Sequence, residues 1–234
     1  MISCFIIMGI ALILLVFYII CKCKKYDLKE LFIKIGVSFL FIVVALVATL
    51  NSNKFSIINL LIILGLVFGL IGDILLDLKY IDEERTLGYT YAGFIVFGLG
   101  HIMYMTALIM NYYIKGGILF IILAIVLDII LSFATILMEK PLKLNYGELK
   151  KISFCYALCL FGTCSFSLFL AIQNGFQILS LNMLFIGAVL FAISDLILSG
   201  TYFGEGKDRP IDFILNYSTY YAAQFIIALS LLFL

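Results

Sequence analysis

Apolar runs of about 20 residues, separated by short polar stretches, make up most of the chain. They predict eight membrane-spanning helices, at about 2–20, 33–50, 57–78, 91–110, 117–137, 152–172, 180–199 and 211–233. Each run can cross roughly 30 Å of hydrocarbon at ~1.5 Å per residue. In the strands of a transmembrane β-barrel, apolar and polar residues would instead alternate over segments of about ten residues. The predicted fold class is therefore all-α, a polytopic eight-helix bundle whose short connections make residues 1–234 one integral membrane domain.

Composition supports a membrane protein and narrows its partners. The chain is 65% hydrophobic with a mean hydropathy of +1.23, and 12% of its residues are charged. About a quarter would be charged in a soluble domain. The net charge of +1 and the absence of a basic run predict no nucleic-acid partner. The first run lacks a basic start and a small-residue cleavage site, so we expect a retained span rather than a signal peptide.

Cysteine usage indicates neither a disulfide framework nor a metal site. Three of the six cysteines, Cys155, Cys159 and Cys164, lie in one apolar segment, where a thiol is usually a small buried hydrophobe. Cys21 and Cys23 form a C-x-C pair at a predicted membrane edge. With one histidine in the whole chain, that pair makes a poor metal site.

The basic residues of the loops predict the orientation of the bundle. Twelve of them follow spans one, three, five and seven: Lys22, Lys24, Lys25, Lys29, Lys79, Arg85, Lys140, Lys143, Lys150, Lys151, Lys207 and Arg209. The opposite loops contain two, Lys54 and Lys115. Because cytoplasmic loops carry the excess of Lys and Arg, the first set is predicted to be cytoplasmic and both termini outside.

Several ionisable and polar residues lie inside the predicted spans. An ionisable residue there costs roughly 2.5–3.5 kcal/mol on insertion scales and is a functional hypothesis by default. The set comprises Asp73 and Asp77 in span three, His101 in span four, Asp128 in span five, Asp195 in span seven, and a stripe of Asp212, Asn216, Tyr220 and Gln224 in span eight. With the predicted orientation most of them share one depth band. They predict a polar pocket that opens to the cytoplasmic leaflet, provided that these helices are neighbours.

Helical spacing adds detail on span three. Gly65, Gly69, Asp73 and Asp77 are spaced by four and share one face. The glycines would let a neighbouring helix approach closely. Two buried carboxylates about 5–6 Å apart at Cβ should not both ionise easily, so we expect one of them to keep a proton and supply a general acid. His101 and Tyr104 share a face in the same way.

Plainer interpretations stay open for single residues. Asp128 has no polar neighbour on its face, which favours a packing role. Asp77 and Asp212 lie near a membrane boundary and could be solvated. His101 could be structural, and the glycines could serve packing alone. The functional interpretation depends on several polar groups converging at one depth.

Four motifs in order resemble the YhhN family of membrane proteins, whose characterised members are lysoplasmalogenases. They are GLIGDILLDL, FGLGHIMYM, GAVLFAISDLIL and YYAAQ, and they cover spans three to eight. The resemblance implies a site made of Asp73, His101, Tyr104, Ser194, Asp195, Tyr220 and Gln224. Asp77 fits an acidic extension of the first motif, and Asn216 joins the set from the polar stripe.

The resemblance implies hydrolysis of the vinyl ether of a lysoplasmalogen to a fatty aldehyde and glycerophosphoethanolamine or glycerophosphocholine. The substrates are then a membrane lysophospholipid and water. Protonation of the vinyl β-carbon needs an acid, the resulting cation needs an anion, and a water must be positioned. We assign the acid and the anion to Asp73 and Asp195, with their roles open, and expect His101, Tyr104, Tyr220 and Gln224 to orient water, glycerol oxygens or the carboxylates.

A single histidine cannot form a three-histidine zinc site, so we predict a metal-independent mechanism without a cofactor. Two other functions stay open. One is a proton-coupled secondary transporter, because intramembrane acids also form proton relays. The other is a non-catalytic lipid-binding protein. The usage of Ile, Lys and Asn favours an AT-rich bacterial genome, and thus a bacterial plasma membrane.

Overall fold

The computed structural model of the protein describes residues 1–22, 28–52, 55–113, 117–204 and 209–234. In these ranges eight long helices form: α1 (Ile2–Lys22), α2 (Leu28–Ser52), α3 (Ile57–Leu78), α4 (Thr86–Tyr112), α5 (Ile118–Leu137), α6 (Lys150–Gln173), α7 (Leu179–Phe203) and α8 (Pro210–Ser230). Each forms over one predicted apolar run, so the all-α prediction is confirmed. Several helices extend past their runs, whereas α5 begins at Ile118 and α8 ends at Ser230, inside the predicted bounds. Cys23, Lys24, Lys25, Lys54, Lys115 and Lys207 lie outside the described residues.

Within the described ranges, seven helices, α1 to α7, are long and apolar enough to cross a membrane. Helix α8 does not meet that criterion, although it forms over the predicted run. Its polar stripe lowers the mean hydropathy, and Asn216, Tyr220 and Gln224 of that stripe are buried in the protein. Mean hydropathy underestimates a helix that turns its polar side chains towards its neighbours. The count of eight spans and the outside position of the termini therefore stay predictions.

Six of the helices form a ring. Around it α2 contacts α3, α3 contacts α4, α4 contacts α6, α6 contacts α7, α7 contacts α8, and α8 closes back on α2. Helix α1 packs on the outside of α2 and α8, and α5 packs on α6. The ring surrounds a space into which α2, α3, α6, α7 and α8 each direct polar side chains.

Local contacts hold the helix termini in place at one end of this ring. Helix α8 begins with Pro210, and the Asp212 carboxylate accepts hydrogen bonds of 2.9 Å from the Nε and Nη2 atoms of Arg209. Asp212 therefore caps its own helix, which corrects both its place in an inward stripe and its alternative role as a simply solvated acid. At the end of α7 the Phe203 carbonyl accepts a 2.8 Å hydrogen bond from the Asn145 N–H, which ties the segment after α5 to α7.

Glycine allows α3 and α4 to approach closely. A Cβ atom on Gly65 would clash with the Tyr104 ring, and one on Gly100 would lie 3.1 Å from the Gly65 carbonyl oxygen. A Cβ on Gly72 would lie 2.5 Å from Phe97. The predicted close approach along this face is what the structure shows, and it places α4 side chains directly over α3.

Gly65→Ala is expected to destabilise the protein by about 1–3 kcal/mol, because the rigid Tyr104 ring must move and the packing of α3 against α4 must open. Gly36→Ala is the matched control, since nothing lies within 4 Å of its added Cβ. Alanine there should be neutral or stabilising by roughly 0.5–1 kcal/mol. The free energy of unfolding in detergent micelles measures both variants. Equal stability of the two would contradict close packing at Gly65.

Candidate active site

A cavity of about 440 Å³ extends from one end of the ring to α5, which packs on α6 outside the ring. Small-molecule sites typically occupy roughly 300–1,000 Å³. Its lining comes from the C-terminal parts of α3, α5 and α7 and the N-terminal parts of α2, α4, α6 and α8. Its polar lining includes Lys34, Asp73, Tyr156, Asp195, Asn216 and Tyr220, and its apolar lining includes Leu131, Ala134, Met138, Ala157, Leu160 and Phe161. The cavity thus joins a polar end to an apolar region between α5 and α6.

Asp73 lies at the polar end with three donors around it. Its Oδ2 atom accepts hydrogen bonds from the hydroxyls of Ser38 at 2.6 Å and Tyr220 at 2.8 Å. Its Oδ1 atom lies 3.3 Å from the Lys34 ammonium. The residue is 3% exposed. Burial disfavours the charged form of this carboxylate, whereas the two hydrogen bonds and the cation favour it.

Lys34 also contacts Asp77, which changes the interpretation of the acidic pair. The Lys34 ammonium lies 3.0 Å from Asp77 Oδ1, and the Tyr18 hydroxyl donates to Asp77 Oδ2 at 3.2 Å. Asp77 is 1% exposed, so the alternative of a solvated acid is wrong. Because one cation contacts both carboxylates, it offsets part of their mutual repulsion. The expectation that one of the pair keeps a proton and supplies a general acid stays a prediction.

A hydrogen-bonded chain behind Asp73 fixes its orientation. The Tyr104 hydroxyl donates to Gln224 Oε1 at 3.4 Å, and Gln224 Nε2 donates to the Tyr220 hydroxyl at 3.0 Å. Tyr220 in turn donates to Asp73. Each donor points towards the carboxylate, with the amide orientation of Gln224 assigned from this network. Of these residues, Tyr220 lines the cavity and Tyr104 and Gln224 lie behind it.

Asp195 faces the same cavity from α7 in a different environment. The Tyr156 hydroxyl donates to Asp195 Oδ2, and the Ser194 hydroxyl lies 3.3 Å from Oδ1 and 2.8 Å from the Phe191 carbonyl. Among the described residues no lysine, arginine or histidine forms a salt bridge with Asp195. The Asn216 amide donates to the Ser194 carbonyl at 2.7 Å, which ties α8 to this turn of α7.

The structure keeps His101 out of the cavity lining. It is 1% exposed, and its Nδ1 atom lies 3.1 Å from the Thr163 hydroxyl. That hydroxyl also lies 3.0 Å from the Cys159 carbonyl and 3.4 Å from the His101 carbonyl, and the donor between it and Nδ1 is set by the imidazole tautomer. The ring packs 4.7 Å from the Phe191 ring, between centroids. His101 connects α4 to α6 in the wall behind Tyr156, and its predicted role in orienting water stays a prediction.

Asp128 lies apart from these groups. Its Oδ1 atom accepts a 3.1 Å hydrogen bond from Ser132, one turn later on α5. It does not line the cavity. Ser132 is a polar neighbour on the same face, so the expectation that this face has none is wrong, and the local contact agrees with a packing role.

The sequence motifs do not include Lys34, Ser38, Tyr18 and Tyr156. The sequence does contain a signal for Lys34. Of the 15 basic residues, 14 lie in the predicted loops, and Lys34 lies inside the predicted span 33–50. The insertion cost that marked the aspartates applies to it equally. Ser38, four residues on, shares its face. Tyr18 and Tyr156 carry no such signal, because a tyrosine in an apolar run is unremarkable.

In the residues that the structure describes, no group of three or more His, Cys, Asp and Glu side chains is placed to hold a metal ion. The metal-independent mechanism stays a prediction. The chemistry that the side chains offer is that of two carboxylates in unequal surroundings, one beside a cation and one beside hydroxyls, which face a shared and largely apolar space.

Comparisons with known proteins identify the family. Neither the curated proteins nor the solved structures give a match. The YhhN family matches residues 30–231. The match begins in α2, one helix ahead of the first motif, so it includes Lys34 and Ser38 as well as every predicted site residue. Since it extends over most of the chain, the chain belongs to the YhhN family.

Proposed function

We propose that this membrane protein is a lysoplasmalogenase that hydrolyses the vinyl ether of a lysoplasmalogen, with Asp195 as general acid and Asp73 as the anion. The supporting observation is the contrast between the two carboxylates that line one cavity. Asp73 accepts two hydroxyl donors and faces Lys34. Asp195 faces hydroxyls and apolar walls. Pairs of carboxyl groups whose environments differ in this way divide into acid and anion.

The steps balance with one water consumed. Asp195 gives its proton to the β-carbon of the vinyl ether, which leaves an oxocarbenium ion opposite the Asp73 carboxylate. Water adds to the cationic carbon and passes a proton to Asp73. The hemiacetal then collapses as Asp73 returns that proton to the glycerol oxygen and the hemiacetal hydroxyl proton passes to Asp195. The products are a fatty aldehyde and the glycerophospho compound, and both carboxyl groups regain their starting states.

The cavity suits the two ends of this substrate. Its apolar region between α5 and α6 matches the alkenyl chain, and its polar end matches glycerol oxygens. We further propose that α8 is an eighth span and that the cavity opens to the cytoplasmic leaflet. The loops at that end carry most basic residues of the chain, and basic loops stay cytoplasmic. A bacterial plasma membrane remains the interpretation of composition.

Proton-coupled transport, the main alternative, has less support from the geometry. A transport path would have to continue from the cavity to the opposite face of the bundle. Asp128 is the acid that could extend it, and it contacts Ser132 rather than the cavity. A lipid-binding protein without activity would need the cavity but not two carboxylates in different surroundings.

The reaction can be tested with 1-alkenyl and 1-acyl lysophospholipids side by side in D₂O. We expect purified protein to release aldehyde from the alkenyl lipid alone, and we expect that aldehyde, once reduced immediately to the alcohol, to carry one deuterium at C2. The label follows from protonation of the β-carbon by a solvent-exchanged acid. The authentic unlabelled aldehyde, incubated in parallel, measures background exchange. Absence of cleavage would reject the proposed function, and cleavage without label would reject carbon protonation.

A further inference from the structure

Two lysines lie on aromatic rings beside the polar end of the cavity. The Lys79 ammonium lies 3.0 Å from the centroid of the Tyr202 ring, and Tyr202 lines the cavity. The same ammonium is 5.0 Å from the centroid of the Tyr80 ring, and the Lys22 ammonium is 4.0 Å from it. Cation–π contacts thus hold two positive charges together next to a cavity wall.

Lys79 lacks an anionic partner within the described part of the chain. Its ammonium contacts rings there, and forms neither a salt bridge nor a hydrogen bond. Burial lowers the pKa of Lys79 to about 7; attraction to Asp77 opposes this shift, and repulsion from Lys22 and Lys34 adds to it. Glu30 acts on Lys22 but is not among the charges that act on Lys79. A bound anion would relieve this imbalance of charge.

We propose that Lys79 and Lys22, framed by the Tyr80 and Tyr202 rings, bind the phosphate ester of the lysophospholipid head group. This inference rests on the proposed function, because that function supplies a phosphate-bearing substrate. The location fits such a substrate. The Tyr202 ring that Lys79 contacts lines the same cavity as Asp73, so the phosphate subsite adjoins the proposed anion of the reaction. One glycerol carries both the vinyl ether and the phosphate, so a phosphate site must lie close to the reacting bond.

Binding of two uncleavable lipids to the purified full chain tests the subsite. The probes are 1-O-alkyl-lysophosphatidylethanolamine, which carries the phosphate, and 1-O-alkylglycerol, which does not. Lys79→Gln should raise the Kd for the phosphate-bearing lipid roughly tenfold or more, because a charge-assisted hydrogen bond is lost. Its Kd for the alkylglycerol should stay within about twofold. Lys79→Arg keeps the charge and should bind both lipids as the unchanged protein does.

Lys151→Gln is the matched control. Lys151 is an exposed lysine at the same end of the bundle, and its loss should change neither Kd. If Lys79→Gln binds both lipids like the control, the phosphate subsite is wrong. The unchanged Kd for alkylglycerol shows that the variant is folded. Displacement of the lipid by inorganic phosphate at a concentration equal to the lipid's Kd would assign the site to free phosphate and overturn the head-group proposal.

Vinyl ether turnover separates this inference from the function on which it rests. With 1-alkenyl lysophospholipid, Lys79→Gln should raise KM and leave kcat within about twofold. With 1-alkenylglycerol, which lacks the phosphate, neither constant should change. Suppose that Lys79→Gln weakens binding of the phosphate-bearing lipid alone, but the unchanged protein cleaves neither lipid. This result would support the phosphate subsite and reject the lysoplasmalogenase activity. Turnover of both lipids without any binding contrast would reject the subsite alone.

Discussion

Asp195→Asn is expected to lower kcat for vinyl ether cleavage by about 10²–10⁴-fold while lipid binding is retained. An amide is close in shape to a carboxylic acid but cannot donate a proton to carbon. The variant keeps an acceptor for the Tyr156 hydroxyl, so the fold around α7 should persist. Aldehyde release measures kcat, and binding of an uncleavable alkyl lysophospholipid measures the Kd. Asp128→Asn is the matched control, because its carboxylate lies outside the cavity and its loss should leave kcat unchanged.

Chemical rescue separates the two proposed roles. Asp195→Gly should regain activity with added formic acid, in proportion to the protonated form, because the missing group is a proton donor. Asp73→Gly should instead regain activity with an anion such as azide, because the missing group is a negative charge and base. The reverse pattern of rescue would exchange the roles of the two carboxylates. Full activity of Asp195→Asn or of Asp73→Asn would reject the proposed role of the substituted residue.

Lys34→Leu is expected to destabilise the protein by about 3–5 kcal/mol, because it leaves Asp73 and Asp77 buried without their shared cation. The second change Asp77→Asn should restore much of that loss, since it removes one of the uncompensated charges. The free energy of unfolding in detergent micelles measures the single and double variants. Lys151→Leu, at an exposed position, is the control and should change stability little.

The combination of variants also tests the role of the ion cluster. If Lys34→Leu is as stable as Lys151→Leu, the contacts with both aspartates carry no stabilising energy. If the double variant recovers stability without recovering activity, Lys34 acts on Asp73 in the reaction as well as in the fold. Recovery of both would make the role of Lys34 structural and would contradict its action on Asp73 in the reaction.

Much of the fold could be predicted from local pattern. All eight helices form where apolar runs of about 20 residues occur, because length and hydrophobicity are properties of the run itself. The exception is instructive. Helix α8 forms as predicted, yet it misses the hydropathy criterion that the other seven meet, because it contains the polar residues Asn216, Tyr220 and Gln224, which are buried in the protein. Membrane crossing by α8 therefore depends on what surrounds it, which its own residues do not reveal.

The candidate site was predictable in part, for a related reason. Periodicity places Asp73 and Asp77 on one face of α3, and the family motifs include Asp73 and Asp195. Neither indicates which side chains of other helices contact these carboxylates. Lys34 extends from α2, and its positive charge offsets the repulsion between the Asp73 and Asp77 carboxylates. Tyr156 extends from α6 and donates a hydrogen bond to Asp195. The motif residue His101 turns to Thr163 instead of the cavity.

Local sequence is enough to predict the helices, their approximate ends, the positions of polar side chains along each helix and, through the motifs, the family. These properties depend on residues close together in the chain and on hydrophobicity. Tertiary structure alone decided which acids share a cavity, which carboxylate has a cation, and which polar residues lie behind the wall. Those outcomes depend on the rotation of each helix about its axis and on its choice of neighbours, which are set by packing between residues far apart in sequence.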